Sequence, residues 1–158
     1  MENIYFDTMP DFLIAPASEK EKHWAAGLMA ESEPWIFLGV GPDRCLDTCL
    51  KTENHLYIAR LDQEPVGAII LQDHGIAGSP YIKSIVVDSK RRNEGIGKQL
   101  LNFAEDKYRM DNKFIFLCVS SFNTRALEFY KRNGYFQAGE LKDFIVEGHS
   151  ELLMQKRL

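Results

Sequence analysis

Ser84-Ile85-Val86-Val87-Asp88-Ser89-Lys90-Arg91-Arg92-Asn93-Glu94-Gly95-Ile96-Gly97-Lys98 is the stretch on which the fold turns. An apolar strand runs into a basic, glycine-containing loop, and the loop opens straight into a helix. The first amides of a helix have no intrahelical partner, and the helix dipole adds positive potential at that end. Glycines at 95 and 97 let the backbone approach an anion with no Cβ atoms in the way. Arg91, Arg92 and Lys98 add charge. The loop reads as a holder for a diphosphate. Its spacing is not GxxxxGK[ST], which excludes a nucleotide P-loop, and not GxGxxG after a first strand, which argues against a dinucleotide fold.

Upstream of this loop, residues 56–61 and 66–71 flank the turn Asp62-Gln63-Glu64-Pro65 and predict a hairpin, followed by a strand over 81–87. Downstream, a helix over 95–109 carries Ile96, Leu100, Phe103, Ala104 and Tyr108 on one face. Residues 114–119 form a continuous apolar run, the pattern of a strand buried on both faces in a parallel pairing. A further helix starts at Asn123, a good N-cap, and stops at Asn133-Gly134. Segments 143–146 and 150–155 supply at least one more strand. Nearer the N-terminus, residues 12–15 predict a short strand. Ser18 and Glu21 stand in capping-box register for a helix that ends near Glu31. Residues 34–39 form an apolar connector, and Pro42 opens a short helix to Leu50. The expected class is α/β. A mixed sheet, antiparallel in its first half, pairs 81–87 with 114–119 in parallel and is flanked by about four helices.

The chain has 158 residues, 45% apolar and 27% charged, which fits one domain over 1–158 with a real core. No apolar run approaches the roughly 20 residues of a membrane span, so no membrane partner is expected. The first residues lack a basic segment followed by an apolar stretch, so no secretory leader is expected either. Cys45, Cys49 and Cys118 form no CxxC pair, which argues for a reducing cytoplasm and against a disulfide framework or a metal site. Cys45 and Cys49, one helical turn apart, read as small core residues. A net charge of −4 does not suit a nucleic-acid partner. Its distribution is uneven: residues 1–80 carry 13 acidic and 5 basic side chains, net −8, and residues 81–158 carry 10 and 14, net +4. The basic half suits an anionic ligand and the acidic half a cationic one.

The loop resembles the R/Q-x-x-G-x-G/A motif of the GNAT superfamily of N-acetyltransferases, here Arg92-x-x-Gly95-x-Gly97. In that superfamily the motif follows a V-x-V-D-like strand end, matched by Ile85-Val86-Val87-Asp88. A second family pattern sets Asn at a helix start before A-x-x-x-Y-x-x-x-G-[FY]. Asn123 with Ala126, Tyr130, Gly134 and Tyr135 matches it. The likeness covers about residues 55–158, and the C-terminal half is similar to ribosomal-protein N-terminal acetyltransferases. Residues 1–54 match in element order.

The resemblance implies an N-acetyltransferase that moves the acetyl group of acetyl-CoA onto an amine by direct attack in a ternary complex. It places the co-substrate on Ile85, Val86 and Val87 along the strand, on Arg92, Asn93, Glu94, Gly95, Ile96, Gly97 and Lys98 at the diphosphate, and on Asn123. It makes Tyr130 the acid that protonates the leaving sulfur. A phenol of pKa about 10 suits a thiolate whose conjugate acid is at about 8.5. Tyr130 also reads as a core aromatic, since it shares a helical face with Ala126 and Phe129.

Where the ribosomal-protein enzymes carry a glutamate, this chain has Cys118, and a thiol in an apolar strand is a poor base. Glu33, Asp73, His74, Glu147, His149 and a water chain all remain open as the base. In this family the first helices and their connector lie over the acyl end. Glu31, Glu33, Asp43 and Asp47 around residues 34–38 would then form an acidic rim for a cationic small molecule or a protein N-terminus. A reading of another class is an acyl-CoA-binding module that regulates without chemistry. The acceptor, the acyl chain and a homodimer stay open.

Overall fold

The computed structural model describes residues 11–158. The leader expectation rests on the first residues and lies outside that range. The order is β1 (Phe12–Pro16), α1 (Glu19–Ala30), α2 (Pro42–Leu50), β2 (His55–Leu61), β3 (Glu64–Ile76) and β4 (Ser79–Val87). A 3₁₀ turn (Ser89–Arg91), α3 (Ile96–Tyr108), β5 (Phe114–Ser120), α4 (Thr124–Arg132), β6 (Phe136–Lys142) and β7 (Ser150–Arg157) follow. The seven strands form one sheet in the order β1-β2-β3-β4-β5-β7-β6. Every pairing is antiparallel except β4–β5.

Local chemistry explains most boundaries. The Ser18–Glu21 capping box is present in both directions: Glu21 N donates to Ser18 Oγ (3.3 Å) and Ser18 N to Glu21 Oε2 (2.8 Å). The β2–β3 turn is shorter than the expected four residues. Leu61 pairs with Glu64, and Asp62 and Gln63 take φ of 49° and 70°, the primed two-residue geometry that matches strand twist. Pro65 pairs with Arg60 next to a register shift whose extra residue is Val66. β3 does not stop at Leu71. It continues through the exposed Gln72–Ile76 tip and turns at Ala77-Gly78, again both at positive φ.

Near the C-terminus the strand expected over 150–155 is present as β7, and the difference lies just before it. Residues 143–146 are a turn, and the additional strand is β6, directly before them. β6 is an edge strand with exposed or half-buried residues throughout, so it carries no apolar alternation to read. Asp143, at φ 51°, closes the turn by accepting from Gly148 N through Oδ1 (2.7 Å).

Two cores flank the sheet. Leu100, Leu101, Ala104 and Tyr108 of α3 and Tyr130 of α4 pack on Ile69, Ile82, Ile115, Leu117 and Val119. On the other face, Ala25, Ala26 and Met29 of α1 and Cys45 and Cys49 of α2 pack on Ile58, Ala68, Ile70 and Val86. α1 is also pinned to β2, because Arg60 Nη2 and Nε donate to the Glu21 carboxylate at 2.6 and 2.7 Å.

Candidate active site

The site begins with an irregularity in β4. Ile70 of β3 pairs with Ser84 and Leu71 with Ile82, so Lys83 is an extra residue, a β-bulge. At that point the parallel pairing of β4 with β5 stops: Tyr81 pairs with Phe116 and Ile82 with Leu117, and no further. β4 stays paired to β3 as far as Val87, and β5 to β7 as far as Ser120. The two strands therefore splay. Among the described residues, the β4 backbone from Lys83 to Val87 has an edge with no strand beside it, lying between the two helical layers.

At the open end of the splay stands the basic loop. Asp88 fixes its start, with Asp88 N on Val66 O (2.9 Å) and Lys90 N on Asp88 Oδ1 (3.0 Å). Asn93 (φ 64°) and Gly95 (φ 82°) are both left-handed, which turns successive amides toward one side as an anion-binding nest. The first intrahelical bond of α3 is Gln99 N to Gly95 O, so the amides of Ile96, Gly97 and Lys98 remain as donors. A Cβ added at Gly95 would meet nothing within 4 Å, and glycine is needed there for the backbone angle. Gly97 has a different reason. Its Cβ would lie 3.1 Å from Phe129 Cζ, so the missing side chain admits the α4 ring against α3. The unpaired strand edge, the nest and the surrounding Arg91, Arg92 and Lys98 fit a phosphorylated ligand with an extended, amide-bearing arm.

Asn123 caps α4, accepting from Ala126 N through Oδ1 (3.3 Å), and its Nδ2 has no partner among the described residues. The two tyrosines of the second motif differ. Tyr135 donates to the buried Glu105 (3.2 Å), whose other oxygen receives Lys156 Nζ (2.9 Å). Tyr130 is 7% exposed, its hydroxyl has no hydrogen-bond partner among the described residues, and yet it is not sealed from solvent. Its ring lies beside those of Phe129 and Tyr135, at 5.4 and 5.9 Å. Burial pushes the phenol up, so it is protonated at neutral pH.

Of the remaining candidates, Cys118 faces away from the α3 core. Burial raises its thiol, which makes it a poor base. Asp73 and His74 lie toward the β3–β4 tip, at the opposite end of β4 from the loop. Tyr108 donates to Asp73 at 2.6 Å, and His55 is 3.4 Å away, which keeps Asp73 structural. Phe37 of the α1–α2 connector stacks on Phe122 after β5 (4.0 Å), and both meet the edge of His149 before β7, each at 5.3 Å. The connector thus reaches the far rim of the splay. Glu33 accepts from Phe37 N (3.1 Å) and shapes that connector, while Glu147 is exposed in the β6–β7 loop. A further carboxylate, Glu151, was not among the sequence candidates. It opens an apolar strand run, and only its register against Ser120 brings it to β5.

The sequence pattern of the Acetyltransferase (GNAT) family matches residues 9–135. The S-(2-succino)cysteine N-acetyltransferase of Bacillus subtilis (strain 168) is 30% identical over 123 residues, 72% of this chain and 73% of that protein. A GNAT family acetyltransferase from Elizabethkingia anophelis with acetyl-CoA bound superposes with a TM-score of 0.69 at 22% identity, over 93% of this chain and 98% of that one. The ribosomal-protein-S18-alanine N-acetyltransferase of Escherichia coli does so with 0.72 at 14% identity, over 93% and 94%. These two likenesses are of fold. The chain belongs to the GNAT acetyltransferase family, and it is an acetyl-CoA-dependent acyltransferase. Among the described residues no helix is long and apolar enough to cross a membrane.

Proposed function

We propose that the protein acetylates an α-amine by direct attack, with amine and acetyl-CoA bound together. The observation that carries this reading is the β4–β5 splay, with backbone donors at its mouth and the Tyr130 hydroxyl unpartnered beside it. Acetyl-CoA supplies an activated thioester, so the protein has mainly to orient it and stabilise charge on the carbonyl oxygen. Ile85 and Val87 present backbone groups to the pantetheine arm as a neighbouring strand would, while Val86 packs into the α1–α2 core. Arg92, Asn93, Glu94, Gly95, Ile96, Gly97 and Lys98 enclose the diphosphate, and Asn123 offers Nδ2. Tyr130 gives its proton to the departing sulfur.

The acceptor must lose a proton before it attacks, and an α-amine at about 8 does so more readily than a lysine at about 10.4. The exposed acids Glu31, Glu33, Asp43 and Asp47 favour a cationic amine or a protein N-terminus. A second reading rests on the 30% identical relative, whose name gives an S-substituted cysteine as acceptor. It supports a small amino acid whose apolar or thioether portion meets Phe37 and Phe122. Thiol release from acetyl-CoA with S-(2-succino)cysteine, a free-N-terminal peptide, spermidine and an N-terminally blocked lysine separates these. The free-N-terminal peptide should lead if the acidic rim selects the acceptor, and S-(2-succino)cysteine, which carries three carboxylates, if the second reading holds. A faster lysine or spermidine overturns the α-amine reading, and tight CoA binding with no thiol release from any amine makes the chain a binding module.

A further inference from the structure

We infer that Glu151, on β7, is the general base that takes the proton from the incoming amine. The inference rests on the acetyltransferase reading above and adds the residue that the motifs do not supply. Glu151 is 7% exposed, and its Oε1 accepts the hydrogen bond of Ser120 Oγ, its register partner at the end of β5. Oε2 has no such partner, yet no buried side-chain oxygen is left unsatisfied among the described residues. Oε2 therefore reaches open space from an otherwise enclosed carboxylate. The strand is tightly held there: Ser150 N donates to Ser121 Oγ (3.0 Å), and Ser121 N to Ser150 O (2.8 Å).

The faces of the sheet give this carboxylate its place. Val119 belongs to the α3–α4 core, so Ser120, Cys118 and Glu151 point to the opposite face. Tyr130 comes from the α3–α4 side. Acid and base thus lie on opposite faces of a sheet that is open between β4 and β5. Ser120 lies three residues beyond Leu117, where the pairing of β5 with β4 ends, so its partner Glu151 stands beside the unpaired end of β5. The Phe37–Phe122–His149 contact stands at the same end of these strands, with Phe122 two residues after Ser120 and His149 two before Glu151. Burial raises the Glu151 carboxyl and Ser120 partly offsets it, which brings a carboxylate nearer to the pKa a base needs.

The proton balance is complete with these two groups. An ammonium acceptor releases two protons as the C–N bond forms and the C–S bond breaks. One passes to Glu151, directly or through one water, and from there to solvent. Tyr130 protonates the sulfur, and the amine's second proton replaces the one Tyr130 gave.

Glu151→Gln keeps the acceptor for Ser120 and removes the base. We expect kcat/KM for the amine to fall roughly 10²- to 10⁴-fold near neutral pH, with recovery as the pH approaches the amine's own pKa. KM for acetyl-CoA should be unchanged. Ser120→Ala removes a bond that lowers the Glu151 pKa, so the acid limb of its kcat/KM profile should move to higher pH. Full activity with an unaltered acid limb in Glu151→Gln overturns the assignment. If that variant fails to show a CoA-dependent rise in melting temperature, the Ser120→Ala limb decides, and an unmoved limb overturns it. A parent enzyme inactive toward every amine sinks the acetyltransferase reading as well.

Discussion

Two tyrosines five residues apart in one motif have opposite surroundings. Tyr135 is held by Glu105, and its phenol is raised by burial and by that neighbouring carboxylate. Tyr130 is raised by burial alone and has no hydrogen-bond partner among the described residues. Only the second can donate to a departing sulfur without first breaking an internal bond. Tyr130→Phe keeps the ring in the core and removes the proton. Turnover should fall roughly 10²- to 10⁴-fold, with CoA affinity held within a small factor in a direct titration. Unchanged turnover would make the side chain a packing group. Tyr130 could be proposed from sequence because its motif is local. Glu151 could not, because its bond to Ser120 spans 31 positions and exists only through the β5–β7 register. Asp73 was a reasonable candidate from sequence, until folding set Tyr108 against it.

At the scale of elements, α1 is fixed by one carboxylate with two attachments. Glu21 caps its own helix at Ser18 and takes both arms of Arg60 on β2. The Arg60 hydrogen bonds lower its pKa from 4.5 to about 2. A depressed acid adds stability that is complete above the unfolded value and is lost as pH falls through the folded one. The loss window therefore runs from about 4.5 down to about 2. Arg60→Met should lower the unfolding free energy by about 2 kcal/mol at neutral pH, allowing for the water that still reaches the pair. It should also flatten the acid dependence in that window, and an equally steep fall in the variant would count against the pairing. Helix starts were readable because caps lie within a few residues. Hairpin lengths and β6 were not, since the β3 tip is polar and an edge strand need not alternate.

For the whole molecule, the sheet is two half-sheets, β1–β4 and β5–β7–β6, joined along β4–β5 by the pairs at Tyr81 and Ile82. The Lys83 bulge is the local cause. A ligand lying along the free β4 edge adds hydrogen bonds to a part of the molecule that has few. Hydrogen exchange should show this. Acetyl-CoA should slow the amides of residues 83–87 and 96–98 much more than those of β2 or β7, whose ladders are already closed. Uniform slowing across the sheet would contradict it. The basic half of the chain, net +4, carries these amides, so the protection should weaken with added salt.

The Phe129 ring lies between the two ends of this site. One edge fills the space that Gly97 leaves open, and its neighbour in the chain is Tyr130, with ring centres 5.4 Å apart. On the proposed reading, the grip on the diphosphate and the acid at the sulfur would be spaced by this one side chain. The fold is a ruler. A carrier whose arm is a few atoms shorter would seat its phosphates in the loop and leave its thioester short of the tyrosine.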